Sequence, residues 1–331
     1  MKKIFVTGSE GFIGSHLVER LVKNNYKVTA LVKYNYKNDI GWLRHLDPKI
    51  LKRLKIVSGD ITDYDFLQKH TKNMDYIINL AALIGIPYSY KAVKSYIDTN
   101  IIGTYNILKV TQNNKVKKTI HTSTSEVYGG NHKKPIKEYY QNYAQSPYAA
   151  SKIGADQLCI SFYCSFNCPV VIIRPFNTFG PRQSNRAIIP TIINQLISSN
   201  KLNLGNVNTS RDLNYIDDTI EAYIKILKST KNTNGEIFNV GSGFNFSIKK
   251  IAEMLIKISG KKVKINKQKI RLRPKKSEVN FLLADNKKIK KIIRWKPKYN
   301  SYKKIHLALI ETYKWFKNNR DKYNFEKDFV E

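Results

Sequence analysis

Short apolar runs alternate along this chain with stretches whose apolar positions recur every three or four residues. KKIFVTG (2–8) is a brief apolar run stopped by glycine, the pattern of a buried strand. GSEGFIGSHLVERLVKNN (8–25) changes period and sets Ile13, Leu17, Leu21 and Val22 on one helical face. Further strands are predicted at 27–34, 54–60, 74–82, 117–125, 169–177 and 236–243. Helices are predicted at 95–114, 146–164, 217–230, 247–259 and 301–319, the second entered through Ser146-Pro147. Strand and helix alternating in this way predict an α/β fold with a doubly wound, Rossmann-type parallel sheet. After residue 177 the alternation breaks, then EIFNVGSG (236–243) reads as a strand returning to the sheet. The expected division is therefore interleaved. Residues 1–177 with a return segment near 212–243 form the sheet domain, and 178–211 with 244–331 form a smaller C-terminal domain.

Length and composition narrow this reading. The 331 residues exceed one ordinary core, and 42% hydrophobic content is enough to fold. No apolar run reaches membrane-spanning length, so no membrane partner is expected. Cys159, Cys164 and Cys168 form no CxxC pair and no zinc spacing, which points to idle thiols in a reducing cytoplasm and to no metal. The formal charge is +33, and residues 261–304 hold 18 Lys or Arg against two acids, Glu278 and Asp285. Without an aromatic RNA-binding motif or finger spacing, this reads as a lysine-biased solvated surface, and no nucleic-acid partner is expected.

Two motifs carry chemistry. Gly8-x-x-Gly11-x-x-Gly14 opens the first helix directly after the first strand, where glycines admit a pyrophosphate and the helix N-terminus offers N–H groups. The end of the second strand reads Val32-Lys33-Tyr34, without the acid that holds the ribose of NAD. Lys33 can meet a phosphate, so the cofactor expectation leans toward NADP over NAD. Asp60, ending the third strand, can either accept from an adenine amino group or serve the next helix as an N-cap acid. Tyr148-Ala-Ala-Ser-Lys152 places a phenol and an ammonium on one helical face, where the ammonium is expected to draw the phenol toward ionisation. Thr124-Ser125-Glu126 is expected at the tip of the strand just before it.

These segments, with GDIT (59–62), NLAA (79–82), DTNIIGT (98–104), RPFNTFGPR (174–182) and SRDLNYIDD (210–218), resemble the extended short-chain dehydrogenase/reductases. Thr124-Ser125-Glu126 resembles the nucleotide-sugar 4,6-dehydratase branch. Simple UDP-galactose-type epimerases keep small or apolar residues where this chain has Glu126. Together with IGIPYSY (84–90) and RLRPKKSEVNFLLAD (271–285), the resemblance is to UDP- or GDP-N-acetylglucosamine 4,6-dehydratases of legionaminic-type nonulosonate and surface-glycan synthesis. It implies tightly bound NADP or NAD, regenerated each turnover, held by Gly8, Gly11, Phe12, Ile13, Gly14, Lys33, Asp60, Ile61, Leu80, Ala81, Ala82, Tyr148 and Lys152. It also implies a nucleotide-sugar substrate met by Asn177, Arg182, Arg186, Arg211 and Arg273. Thr124, Ser125, Glu126, Tyr148 and Lys152 would carry the chemistry, Ser125 standing where many relatives keep an acid. A homodimer is expected through the helix bearing Tyr148, with Ile153, Leu158 and Phe162 as candidate contacts. The alternatives are a UDP-glucuronate decarboxylase and a redox-sensing or RNA-binding protein that kept only the fold.

Overall fold

The computed structural model describes residues 1–130, 132–268, 272 and 274–322. In its first half the strands are β1 (Lys3–Thr7), β2 (Lys27–Lys33), β3 (Lys55–Gly59), β4 (Tyr76–Asn79), β5 (Lys118–Thr122) and β6 (Val170–Pro175). Then come β7 (Asn177–Phe179), β8 (Leu202–Leu204), β9 (Ser210–Tyr215), β10 (Ile237–Val240), β11 (Asn245–Ser247), β12 (Ile265–Lys267) and β13 (Phe281–Leu282). The main sheet has seven strands in the order β10-β6-β5-β4-β1-β2-β3. Every neighbouring pair in it is parallel.

Alternation along β1 explains why helices lie on both faces. Ile4 and Val6 share a core with Leu17 and Leu21 of the helix Phe12–Lys23 and with Ile220 and Ile224 of the helix Ile216–Lys228. Phe5 points the other way, into a core with Leu67, Ile107 and Val110. The chain leaves β1 toward β2 and β3, then returns to its other side as β4. The tips of β1 and β4 thus flank a topological switch point, where such sheets bind ligands. Around β9 a second sheet gathers β7, β11 and β13, and β8 pairs with β12.

All seven main-sheet strands lie where the apolar pattern places them, but two details differ. β5 ends at Thr122, and Thr124 caps a 3₁₀ turn, Ser125–Tyr128, so the TSE triplet sits on a turn and not on a strand tip. The helix expected at 95–114 divides into Val93–Tyr96, a π-helical stretch Ile97–Ile102, and Gly103–Asn113. A wider turn there lets Asn100 face inward. Its amide oxygen accepts the Leu83 N–H (2.9 Å), and its nitrogen donates to the Leu83 carbonyl (3.0 Å) and the Ser151 hydroxyl (2.9 Å). The short helix Tyr64–His70 escaped the periodicity. It is started by Asp63, whose carboxylate accepts the Phe66 N–H at 3.0 Å. Among the described residues no helix is long and apolar enough to cross a membrane.

Candidate active site

The glycine motif forms a turn with no room for a side chain at Gly8 or Gly14. Gly8 has φ +63°, and a Cβ there would stand 2.9 Å from the Ala81 nitrogen. At Gly14 it would stand 2.1 Å from the Gly8 carbonyl oxygen. Thr7 fastens the loop to the β4 tip: its hydroxyl donates to Asn79 (2.7 Å) and accepts the Leu80 and Ala81 N–H groups (3.0 and 2.9 Å). The helix Phe12–Lys23 begins with no side-chain cap and no acid in its first turn. Its leading N–H groups are therefore suited to an anion such as a dinucleotide pyrophosphate. Phe12, Ile13, Leu80, Ala81 and Ala82 are half-buried, and Ile61 is buried in the core that holds Phe5.

At the tip of β2 the Lys33 side chain is exposed, while its backbone N–H donates to the Glu10 carboxylate at 3.0 Å. Asp60 uses one oxygen as a turn cap, accepting the Thr62 N–H (2.9 Å) and hydroxyl (2.8 Å). Burial alone would raise its carboxyl, but those bonds and Lys33 outweigh it and hold the group below its ordinary value. Asp60 thus stays ionised through the neutral range.

Thr124, Ser125, Tyr148 and Lys152 are brought together and buried, with Glu126 half-exposed beside them. The helix Pro147–Phe166 is started by Ser146, whose hydroxyl accepts the Ala149 N–H at 3.1 Å. One turn of that helix sets Tyr148 and Lys152 on the buried face. Thr124 accepts the Glu126 N–H at 3.2 Å, which leaves its hydroxyl hydrogen for the Tyr148 phenol.

The expected pull of Lys152 on the phenol is overturned. Burial raises Tyr148 well above its ordinary value; the Thr124 hydroxyl opposes this, and the Glu126, Tyr96 and Asp156 charges add to it. Lys152 spends its ammonium on the Thr122 carbonyl at 2.6 Å. Burial lowers it to about 8, against the opposing pull of Asp156. Desolvation is the largest influence on each of the two buried groups.

Behind this pair lies a polar network that the motifs alone do not reveal. Asp156, one turn beyond Lys152, accepts from Ser123 (2.9 Å) and from Arg174 Nε (3.0 Å) and Nη2 (2.9 Å). Arg174 also donates to the Tyr128 hydroxyl (2.7 Å), which donates to Asn239 (2.8 Å). His121 lies 3.6 Å from the second Asp156 oxygen, and burial, with Lys152 and Arg174, keeps its ring neutral. Tyr148, Lys152 and Asp156 follow a four-residue spacing along one helix, and that is the signal by which Asp156 is found.

The substrate-side candidates are dispersed. Arg182 pairs with Glu19 on the first helix at 2.8 Å. Arg186 is exposed, near enough to Tyr96 for its charge to act on that phenol. Arg211 is buried and lies 3.7 Å from Glu278. Asn177 is half-buried, with its amide oxygen lacking a partner among the described residues. Arg273 lies outside the described residues.

Comparison with known proteins places this arrangement. The GDP-mannose 4,6 dehydratase family matches residues 5–306. A dTDP-D-glucose 4,6-dehydratase of Dictyostelium discoideum is 36% identical across 78% of this chain, the match spanning 62% of that protein's length. The crystal structure of a Bacillus cereus UDP-glucuronic acid 4-epimerase with UDP-glucuronic acid and NAD superposes with TM-score 0.85 at 32% identity. That likeness covers 96% of this chain and 99% of the epimerase. DesIV, a dTDP-glucose 4,6-dehydratase of Streptomyces venezuelae with NAD bound, gives TM-score 0.85 at 26% identity, covering 97% and 99% of the two chains. The chain belongs to the extended short-chain dehydrogenase/reductase family of nucleotide-sugar 4,6-dehydratases and epimerases.

Proposed function

We propose that the protein is a nucleotide-sugar 4,6-dehydratase acting on UDP- or GDP-N-acetylglucosamine. It would yield the 4-keto-6-deoxy sugar used for nonulosonates and other surface glycans. The observation that carries this reading is the Glu126 carboxylate, half-exposed and near enough to Tyr148 for its charge to act on that phenol, beside the buried Thr124 and Ser125. Epimerisation at C4 needs no base for C5, whereas dehydration does.

Tyr148 takes the O4 proton of the sugar. When bound, a nicotinamide dinucleotide accepts hydride from C4 and returns it to C6, and its positive ring adds charge that favours the Tyr148 phenolate. Thr124 donates to the phenol and steadies it as it ionises. Glu126 removes the C5 proton, which the C4 ketone has acidified, and the C6 hydroxyl leaves as water. Ser125 is a poorer proton donor than a carboxylic acid, so Glu126 returns its own proton to the departing hydroxyl; hydride return to C6 is then completed by a proton delivered to C5, balanced by the one that Tyr148 drew from O4. Arg211 and Arg186 take the nucleotide diphosphate, guanidinium being matched to phosphate.

A homodimer fits the same reading. Phe162 turns inward, and Ile153 and Leu158 are half-buried, so they contribute less than expected. Ile97, Ile102, Tyr105 and Phe166 are exposed on the adjoining helical faces and form the better contact surface. Sedimentation showing only monomer would remove it.

The direct test is incubation with UDP- and GDP-N-acetylglucosamine, followed by mass spectrometry. Loss of one water from the sugar supports dehydration. A product of unchanged mass and inverted C4 would make the protein an epimerase like its Bacillus cereus neighbour. Carbon dioxide released from UDP-glucuronate would make it a decarboxylase.

A further inference from the structure

The glycine turn and the Thr124 turn follow the ends of β1 and β5; these strands begin at the opposite edge of the sheet. At that edge the register sets three side chains on one face. Tyr76 opens β4 and pairs with Ile4 of β1 and Lys118 of β5. Lys2 lies two residues before Ile4, and so on the same face. Asn24 and Asn25, which end the helix Phe12–Lys23, and Leu227 and Lys228, which end the helix Ile216–Lys228, stand against them. Sheet edge and helix ends enclose a pocket of about 540 Å³, within the size range of small-molecule sites.

Lys2, Lys117, Lys118 and Lys228 line this pocket, and among the described residues no acid does. Asp75, beside Tyr76 in sequence, is taken up by the Lys117 ammonium (2.7 Å) and the Lys3 N–H (2.8 Å). Lys2 donates to a neutral group, the Tyr76 hydroxyl, at 2.7 Å, and Lys228 reaches Asn24 at 3.5 Å. Lys118 is half-buried, and its one hydrogen bond among the described residues is to the Ile226 carbonyl at 3.2 Å. Burial, and then the Lys2 charge, press its ammonium toward the neutral form. Helix C-termini attract lysines in the ordinary way. Here, however, the N–H groups of Asn24, Asn25 and Tyr26 already meet the Arg20, Leu21 and Val22 carbonyls. Of the four lysines, only Lys118 bonds a helix carbonyl among the described contacts. Like charges gathered in a concavity focus a positive potential, and an ammonium half out of water is relieved by an anion.

We propose that this pocket is a second anion site, which takes a small molecule bearing two or more linked phosphates. Neighbouring ammonium groups answer successive phosphates as point charges. Inorganic pyrophosphate and a nucleotide both carry that chemistry, and the half-buried Tyr26 ring on the pocket wall favours an attached base. The site is separate from the proposed reaction and stands without it. The helix Phe12–Lys23 starts at the glycine turn and ends at this pocket, about 18 Å further on.

The test is calorimetric titration of sodium pyrophosphate and, separately, of ADP into the full chain at roughly 0.15 M salt. The wild type should bind with Kd below about 100 μM. The double variant Lys2→Gln/Lys118→Gln should weaken that at least about ten-fold. Lys228→Gln, at an exposed position whose loss does not threaten folding, should weaken it about three-fold. Lys262→Gln/Lys264→Gln removes two exposed charges outside the pocket and should leave Kd within about two-fold. ADP binding tighter than pyrophosphate assigns the site to a nucleotide; ADP binding no tighter assigns it to the phosphate chain alone. NAD⁺ affinity unchanged in the pocket variants separates the pocket from the glycine turn, and a parallel loss of NAD⁺ overturns the second site. Neither probe binding the wild type overturns it too. So do pocket variants that weaken binding no more than the outside pair, since an anion would then be answering only the overall charge of +33.

Discussion

Behind the helix Pro147–Phe166 the charged groups are buried and paired with one another. At Arg182 and Arg211 they lie beside acids that a ligand can displace. Asp156 and Arg174 meet through two contacts of 2.9–3.0 Å, both essentially out of solvent. Arg182 meets Glu19 at 2.8 Å nearer the surface, and Arg211 stands 3.7 Å from Glu278. In the first region the Arg174 guanidinium has its carboxylate already in place, as a buried charge requires. The second offers cations nearer the surface, each beside one acid, Arg182 beside Glu19 and Arg211 beside Glu278, where a diphosphate can compete. On the proposed reading, chemistry is preorganised in the first region and recognition is arranged by exchange in the second.

Substitutions should separate the two regions by size of effect. Glu126→Gln keeps shape and removes the base, so kcat should fall about 10³-fold with nucleotide-sugar affinity nearly unchanged. Full turnover would take Glu126 out of the mechanism. Asp156→Ala leaves the Arg174 guanidinium buried without its carboxylate and should cost about 3–5 kcal/mol, read by urea unfolding. A loss under about 1 kcal/mol would place that network among ordinary surface pairs and dissolve the contrast.

Lys152 tests the same region through pH. Its ammonium is lowered by burial from 10.5 to about 8. Between those values the unfolded chain binds more protons, so this group's contribution rises with pH; its cost is fully present below the lower value. Lys152→Met removes that dependence. The stability difference between wild type and variant should therefore change by up to roughly 3 kcal/mol from pH 8 to 10.5. A flat difference would mean the ammonium is not desolvated. On the other side of the cleft, Arg211→Lys keeps the charge and loses the planar fork. It should raise KM for the nucleotide sugar about ten-fold with kcat little changed.

The same contrast explains what was legible in the sequence. Strands such as IFV in β1 are apolar because both faces are covered, so their pattern reads directly. Gly8, Gly14, Tyr148 and Lys152 are tied to local geometry: a turn with no space, and one turn of helix. Asp156 was harder. Its importance depends on Arg174, which lies 18 residues away in sequence and meets it only through the sheet. The effect of Lys152 on Tyr148 was misjudged because spacing shows that two groups are near, while burial decides which protonation state they keep. The π-helical stretch carrying Asn100 leaves no periodic mark at all, being a single widened turn inside an otherwise regular helix.

The smallest effect belongs to Arg182, and it sharpens the comparison by its smallness. The Arg182–Glu19 pair joins the 177–186 segment to the helix that opens with the glycine turn. Burial works against the Glu19 carboxylate, but Lys23 and Arg182 outweigh it and hold its carboxyl below the ordinary value. That contribution is present above the ordinary carboxyl range and fades as pH falls through the lowered one. Because both side chains keep some solvent, a double-mutant cycle of Arg182→Ala and Glu19→Ala should give a coupling of about 0.5–1 kcal/mol at neutral pH. It should shrink in high salt, which the Asp156–Arg174 coupling should not. A coupling as large and as salt-insensitive as the buried pair's would mean that this cation, too, is fixed in place, and that a diphosphate would have to bind beside it without displacing its partner.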